Sequence, residues 1–149
     1  MDAHLRPLMF SGRISSVKAY AIHLFARLAA LMNKMNPDCT FCKIVAGTSP
    51  ATILYHDEQV TAFRDLHPVA PTHILIVPNK HIESVNELEP ADEVTVGHIF
   101  SVSRMLAEHE GIDSSGYRII NNTGVHGGQT VFHMHFHLIG GQRMKHPMG

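Results

Sequence analysis

Gly127-Gly128-Gln129-Thr130-Val131-Phe132-His133-Met134-His135-Phe136-His137-Leu138-Ile139-Gly140-Gly141 is the stretch on which the reading of this chain turns. Between the glycines, Thr130 to Ile139 predicts a β-strand. Side chains alternate between the faces of a strand, so His133, His135 and His137 share one face at intervals of about 6.5–7 Å, and Phe132, Met134, Phe136 and Leu138 share the other. One face then packs on a core and the other carries a row of imidazoles. Such a row resists full protonation, because neighbouring charges repel, and it has no evident value for stability. Two other readings stand beside a catalytic one: solvated surface histidines, or a pair at i and i+2 sharing one zinc whose fourth ligand is water. Just before the strand, Gly124-Val125-His126-Gly127-Gly128-Gln129-Thr130 is rich in donors. Its glycines let backbone N–H groups approach an anion, and Gln129, Thr130 and nearby Asn122 add amide and hydroxyl groups. A phosphate needs such a loop next to imidazoles.

Working outward, Thr40 to Val45 predicts a short helical turn stopped by Gly47 and Pro50. Ile53–Tyr55 and Val60–Phe63 predict two short strands around the turn at 56–59. His73-Ile74-Leu75-Ile76-Val77 is continuously apolar after its first residue, as for a strand buried on both faces, and Pro78 ends it. Pro90 predicts the first residue of a long helix running to Glu110, with Asp92 and Glu93 in its first turn and Gly111 as its stop. Val94, His98, Ile99, Val102, Met105 and Leu106 follow at helical spacing. Tyr117–Ile120 is a further strand. The fold class is α+β: an antiparallel sheet of about five strands with one long and one or two short helices.

The bulk numbers bound the function. A chain of 149 residues with 44% hydrophobic and 17% charged residues is one ordinary globular domain. A formal net charge of −1 offers no basic field for nucleic acid. No apolar run reaches the roughly 18 residues of a membrane span. Residues 1–36 differ from the rest: five basic side chains (Arg6, Arg13, Lys18, Arg27, Lys34) face one acid, Asp2. Val17, Ala21, Leu24, Leu28 and Leu31 there predict an amphipathic helix from Ser15 to about Lys34. This is an extension ahead of a domain at 37–149, or an organellar transit peptide; otherwise the location is cytoplasmic. Two cysteines, Cys39 and Cys42, make no disulfide framework and suit a reducing compartment. Their spacing fits a metal site, two packed free thiols or a redox pair.

The quoted stretch resembles the signature of the histidine triad (HIT) family, His-φ-His-φ-His-φ-φ with φ apolar. Gly140-Gly141 followed by Arg143-Met144 is similar to the Hint-type branch, the nucleoside phosphoramidases. Phe63-Arg64-Asp65, Pro68, Ala70-Pro71-Thr72-His73, Val77-Pro78, Lys80-His81-Ile82, Gly116-Tyr117-Arg118 and Asn122 extend the resemblance over about residues 38–147.

The resemblance implies a HIT-like fold, a homodimer, and hydrolysis of purine nucleoside phosphoramidates or acyl-adenylates through a nucleotidyl-histidine. Dinucleoside polyphosphate hydrolysis, nucleotidyl transfer, nucleotide binding with incidental catalysis and a zinc hydrolase using all three histidines are the rival readings. His135 matches the nucleophile, a role suited to a neutral imidazole. His137 matches the group on the α-phosphate, and His73 a further active-site histidine. Gly128, Gln129 and Thr130 match the phosphate holders, and Thr130, where the family often has Ser, steers a proton to the leaving group. Asn122 matches a position near phosphate and ribose, and Asp65 an acid on the ribose hydroxyls; the plain alternative for Asp65 is a turn cap. Zinc-binding members pair such cysteines with two histidines, which assigns Cys39, Cys42, His81 and His133 to a structural Cys₂His₂ zinc. The tail departs from the family's Trp-Pro-Pro-Gly-like ending, since Lys145-His146-Pro147-Met148-Gly149 stands there, and this leaves the leaving-group preference open.

Overall fold

The computed structural model describes residues 35–144. The helix expected over residues 15–34 and the tail from Lys145 lie outside the described residues. The elements run α1 (Thr40–Val45), β1 (Ile53–His56), β2 (Val60–Arg64), β3 (Thr72–Pro78), two 3₁₀ turns (Val85–Glu87 and Pro90–Asp92), α2 (Glu93–His109), β4 (Tyr117–Asn121), a third 3₁₀ turn (Val125–Gly127) and β5 (Phe136–Gly140). The five strands form one antiparallel sheet in the order β1-β2-β3-β5-β4.

β3 is buried throughout because both faces of the sheet are covered. Val60, Ala62, Ile74, Ile76, Phe136 and Leu138 turn to one face, where Ile99, Val102 and Leu106 of α2 meet them. The alternate residues Phe63, Leu75 and Val77 turn to the other, where Phe41 and Ile44 of α1 close a smaller core. Fully burying one such aliphatic side chain contributes about 1.5–3 kcal/mol, so the central strands hold the sheet. In this pleat His137 points to the α1 face, because Phe136 and Leu138 on either side point to α2. It lies opposite Leu75, and His73 lies opposite Ile139.

Two expectations need correction. Pro90 opens a 3₁₀ turn, and α2 begins at Glu93. The buried stripe of α2 is Ile99, Val102, Ser103, Leu106 and Ala107. Val94 and Met105, expected on that stripe, are exposed, and Ser103 enters the core because its hydroxyl donates to the Ile99 carbonyl at 2.8 Å. The start of α2 is tied back to the end of β3: Lys80 Nζ lies 2.9 Å from Asp92 Oδ1 and 3.0 Å from Glu89.

The second correction concerns the histidine strand. Regular pairing spans Phe136–Gly140 only, and residues 130–135 leave the ladder. Pro78 ends the neighbouring strand, and the backbone N–H groups of the run go elsewhere, His133 to the Val131 carbonyl at 2.9 Å and Met134 to the Ile82 carbonyl at 2.6 Å. The three imidazoles therefore do not form an evenly spaced row. Met134, Phe136 and Leu138 are core residues as expected, but Phe132 is 51% exposed. His133 and His135 are buried, which removes the solvated-surface reading. Among the described residues no helix is long and apolar enough to cross a membrane.

Candidate active site

The imidazoles divide between two sites, and their hydrogen-bond partners fix their tautomers. His135 Nδ1 lies 2.7 Å from the His133 carbonyl, which can only accept. Nδ1 therefore carries the proton and Nε2 keeps its lone pair. Burial lowers the His135 pKa, so the ring is neutral near pH 7.

A second chain of bonds ends on His137. The Val69 N–H donates to His73 Nδ1 at 3.2 Å, which makes that nitrogen an acceptor and puts the His73 proton on Nε2. His73 Nε2 then donates to His137 Nδ1 at 2.9 Å, with Asp65 Oδ2 3.4 Å from the same nitrogen. The His137 proton is thus on Nε2. That atom is buried and has no hydrogen-bond partner among the described residues. A buried unpaired donor is costly, and one beside the lone pair of His135 suits an incoming anion. Burial, then the neighbouring His135 and His73, hold the His137 pKa down at about 4. Burial also lowers that of His73, against the pull of Asp65. Asp65, His73 and His137 have the composition of a metal-binding group. The Val69 N–H argues for a hydrogen-bonded chain instead, since a metal on His73 Nε2 would move the ring's proton to Nδ1, against that donor.

Both rings face a cleft of about 260 Å³ on the α1 side of the sheet. His135 and His137 lie with ring centroids 5.0 Å apart. Phe41, Ile44, Phe63 and Leu75 make its apolar wall, with Asp65 and Thr130 also lining it. Sequence reasoning missed Phe41 and Ile44, because a helix of six residues carries too short a pattern to mark its buried face. Asp65 Oδ1 accepts the His67 N–H at 2.7 Å, so it does cap its turn as well as edging the cleft.

The loop from Gly124 is built by Gln129. Its amide donates to the Glu83 and Val131 carbonyls at 2.6 and 3.0 Å, its oxygen accepts the Gly124 N–H at 2.9 Å, and its own backbone N–H goes to the Gly124 carbonyl. Its polar groups are therefore spent on the loop. Gly128 has φ +82, a conformation that favours glycine, and the Asn122 side-chain nitrogen lies beside it.

The other site gathers Cys39, Cys42, His81 and His133, whose ligand atoms all lie within 4.8 Å of one another. His133 Nε2 donates to the Pro78 carbonyl at 2.9 Å, so the Nδ1 lone pair faces the cluster. From there it is 3.4 Å to Cys39 Sγ, 3.6 Å to Cys42 Sγ and 3.3 Å to His81 Nδ1. Bonds of 2.0–2.3 Å to a tetrahedral ion place ligands about 3.3–3.8 Å apart, which these separations meet. The Asn36 and Cys42 N–H groups point at the two sulfurs, as suits thiolates. Burial pushes the Cys42 thiol up to about 11 when no metal is present. With His133 turned to the cysteines, one metal cannot hold all three triad histidines.

Residues 46–144 match the HIT domain family. The chain is 48% identical over 108 residues to the purine nucleoside phosphoramidase of Escherichia coli, spanning 72% of this chain and 91% of that protein. The chain belongs to the HIT family. Its triad is His133, His135 and His137, and the branch is the Hint type. A HIT family hydrolase from Legionella pneumophila superposes with a TM-score of 0.73 at 44% identity, covering 75% of this chain and all of that one. A histidine triad protein from Clostridium difficile gives 0.72 at 44% identity, covering 74% and 96%. Residues 1–45 lie ahead of the HIT match, so the cysteines precede it.

Proposed function

We propose that this HIT protein hydrolyses purine nucleoside phosphoramidates and acyl-adenylates through a nucleotidyl-His135 intermediate. The observation that carries the reading is the pair of tautomers: a lone pair on His135 Nε2 beside a buried, unpartnered N–H on His137. The apolar wall from Phe41 to Leu75 takes the base, and Asp65 takes the ribose hydroxyls. His135 Nε2 attacks the α-phosphorus, the bond from phosphorus to the leaving nitrogen breaks, and the Thr130 hydroxyl passes its proton to the departing amine, to be reprotonated by the water that attacks next. Charge developing on a phosphate oxygen meets the His137 N–H and the backbone of the Gly128 loop. Water then attacks the same phosphorus, the bond to His135 breaks, and the nucleoside monophosphate leaves. Gln129 serves by holding the loop.

Cys39, Cys42, His81 and His133 hold zinc, whose part is structural: a closed set of four protein ligands leaves no position for water or substrate. The chemistry therefore runs without a metal-bound hydroxide. The edge strand β4, with Val94, Phe100 and Met105 exposed on α2, supports a homodimer. Reduced metal-ligating thiols favour the cytoplasm.

The test compares kcat/KM for adenosine 5′-phosphoramidate and for a dinucleoside tetraphosphate. The expected result is a preference of at least a hundredfold for the phosphoramidate. A preference for the tetraphosphate would move the protein to the dinucleoside hydrolase reading.

A further inference from the structure

Phe41 sits between the two cysteines in Cys39-Thr40-Phe41-Cys42. Its ring meets the edge of His133 at 5.9 Å, that of the nucleophile His135 at 5.2 Å, and that of Phe63 at 5.5 Å. With Thr40 and Ile44 it forms the α1 wall of the cleft. One ring thus touches the metal cluster, the nucleophile and the substrate space. α1 has six residues, far too few to stand as a helix without tertiary support. Its anchors are a small apolar core and two thiols aimed at His81 and His133.

We propose that Cys39 and Cys42 are positioning residues for the nucleobase wall. Bridged by zinc to His81 and His133, they hold Phe41 in place, so metal occupancy sets affinity for the nucleoside part of the substrate. The donors to the phosphate oxygens stand apart, since the His137 donor is set by His73 and Val69 and the Gly128 loop by Gln129, whereas His135 is tied to the zinc ligand His133 through its carbonyl. The inference rests on the zinc and nucleotide readings above. Coupling of this kind is reciprocal: zinc tightens the nucleotide by the factor with which the nucleotide tightens zinc.

The experiment uses the zinc-loaded full chain, with metal content measured. Affinities for AMP and for inorganic phosphate are read by calorimetry before and after chelation under reducing conditions, with circular dichroism as the check on folding. Zinc removal is expected to weaken AMP about tenfold, the scale of losing one aromatic stacking wall. Phosphate affinity is expected to stay within twofold. Zinc-loaded Phe41→Ala is expected to show the same AMP loss and no further loss on chelation. Should the stripped chain unfold, the reciprocal arm decides. Saturating AMP is expected to slow zinc transfer from the loaded protein to excess chelator about tenfold, saturating phosphate to leave it unchanged, and Phe41→Ala to abolish the AMP effect. One zinc per chain with AMP affinity and transfer rate both uncoupled overturns the positioning role and leaves the zinc reading standing. A chain that takes up no stoichiometric zinc overturns both, and a loaded chain that binds phosphate but not AMP overturns the nucleotide reading beneath them.

Discussion

Replacing His73 by Phe tests whether His137 works through a fixed tautomer. The substitution keeps a ring against His137, now 5.2 Å away between centroids, but removes the donor to His137 Nδ1 and the acceptor for the Val69 N–H. His137 is then free to carry its proton on either nitrogen, and its Nε2 donor is no longer held ready. A neutral hydrogen bond in a partly buried site is worth about 1 ± 0.5 kcal/mol, or about two- to twelvefold in rate. Losing a whole oxyanion donor costs about 10²–10³-fold in kcat, which sets the upper bound. The expected result is a fall in kcat of about tenfold with KM for the nucleotide nearly unchanged. Val69 is exposed, so its freed N–H can turn to water and stability should fall by no more than about 1 kcal/mol. Gln at the same position can set an amide N–H near the lost His73 Nε2–H, so His73→Gln should recover kcat to within about threefold of wild type. Steady-state kinetics on the phosphoramidate, with urea unfolding alongside, reads all three quantities. A Phe variant within twofold of wild-type kcat, or a Gln variant as slow as Phe, would refute the tautomer chain.

Gln129→Ala removes three side-chain hydrogen bonds that hold the loop from Gly124 and should cost about 2–3 kcal/mol in urea unfolding; a loss below about 1 kcal/mol would mean the loop holds itself. His73, His135 and His137 all have folded pKa values below the unfolded value near 6.5, with His137 at about 4. The unfolded chain then binds more protons than the folded one between those limits, so stability is level above about pH 6.5 and declines toward pH 4. Urea midpoints at pH 7 and pH 5 should show the drop, and equal midpoints would contradict burial of neutral rings. Because Cys42 is held up at about 11 without metal, zinc binding at pH 7 must expel its proton, and calorimetry in two buffers of different ionisation enthalpy should detect the release.

Much of this molecule is legible along the chain because local patterns and tertiary packing agree. The uninterrupted apolar run of β3 is what a doubly covered strand requires, and Gly111 stops α2 where expected, with φ +66. Legibility ends where side chains override the pleat. From Phe132 to His135 the alternation looks like a strand, but His133 turns toward two cysteines more than ninety residues earlier, and no periodicity reports a pull from that distance. Nor does composition reveal that the Val69 backbone sets the proton on His137 through His73. The wall formed by Phe41 and Ile44 was hidden for a related reason. Six residues carry too short a pattern to show which face is buried, and the Phe41 partners, Phe63, His133 and His135, lie far along the chain.

The proposed covalent step is nucleotidylation of His135. Intact mass spectrometry of the protein, quenched at neutral pH during turnover of adenosine 5′-phosphoramidate, tests it with His135→Ala beside the wild type. One adenylyl group is expected on the wild type, none on the variant, and turnover lost with it. Wild-type turnover by His135→Ala would contradict it.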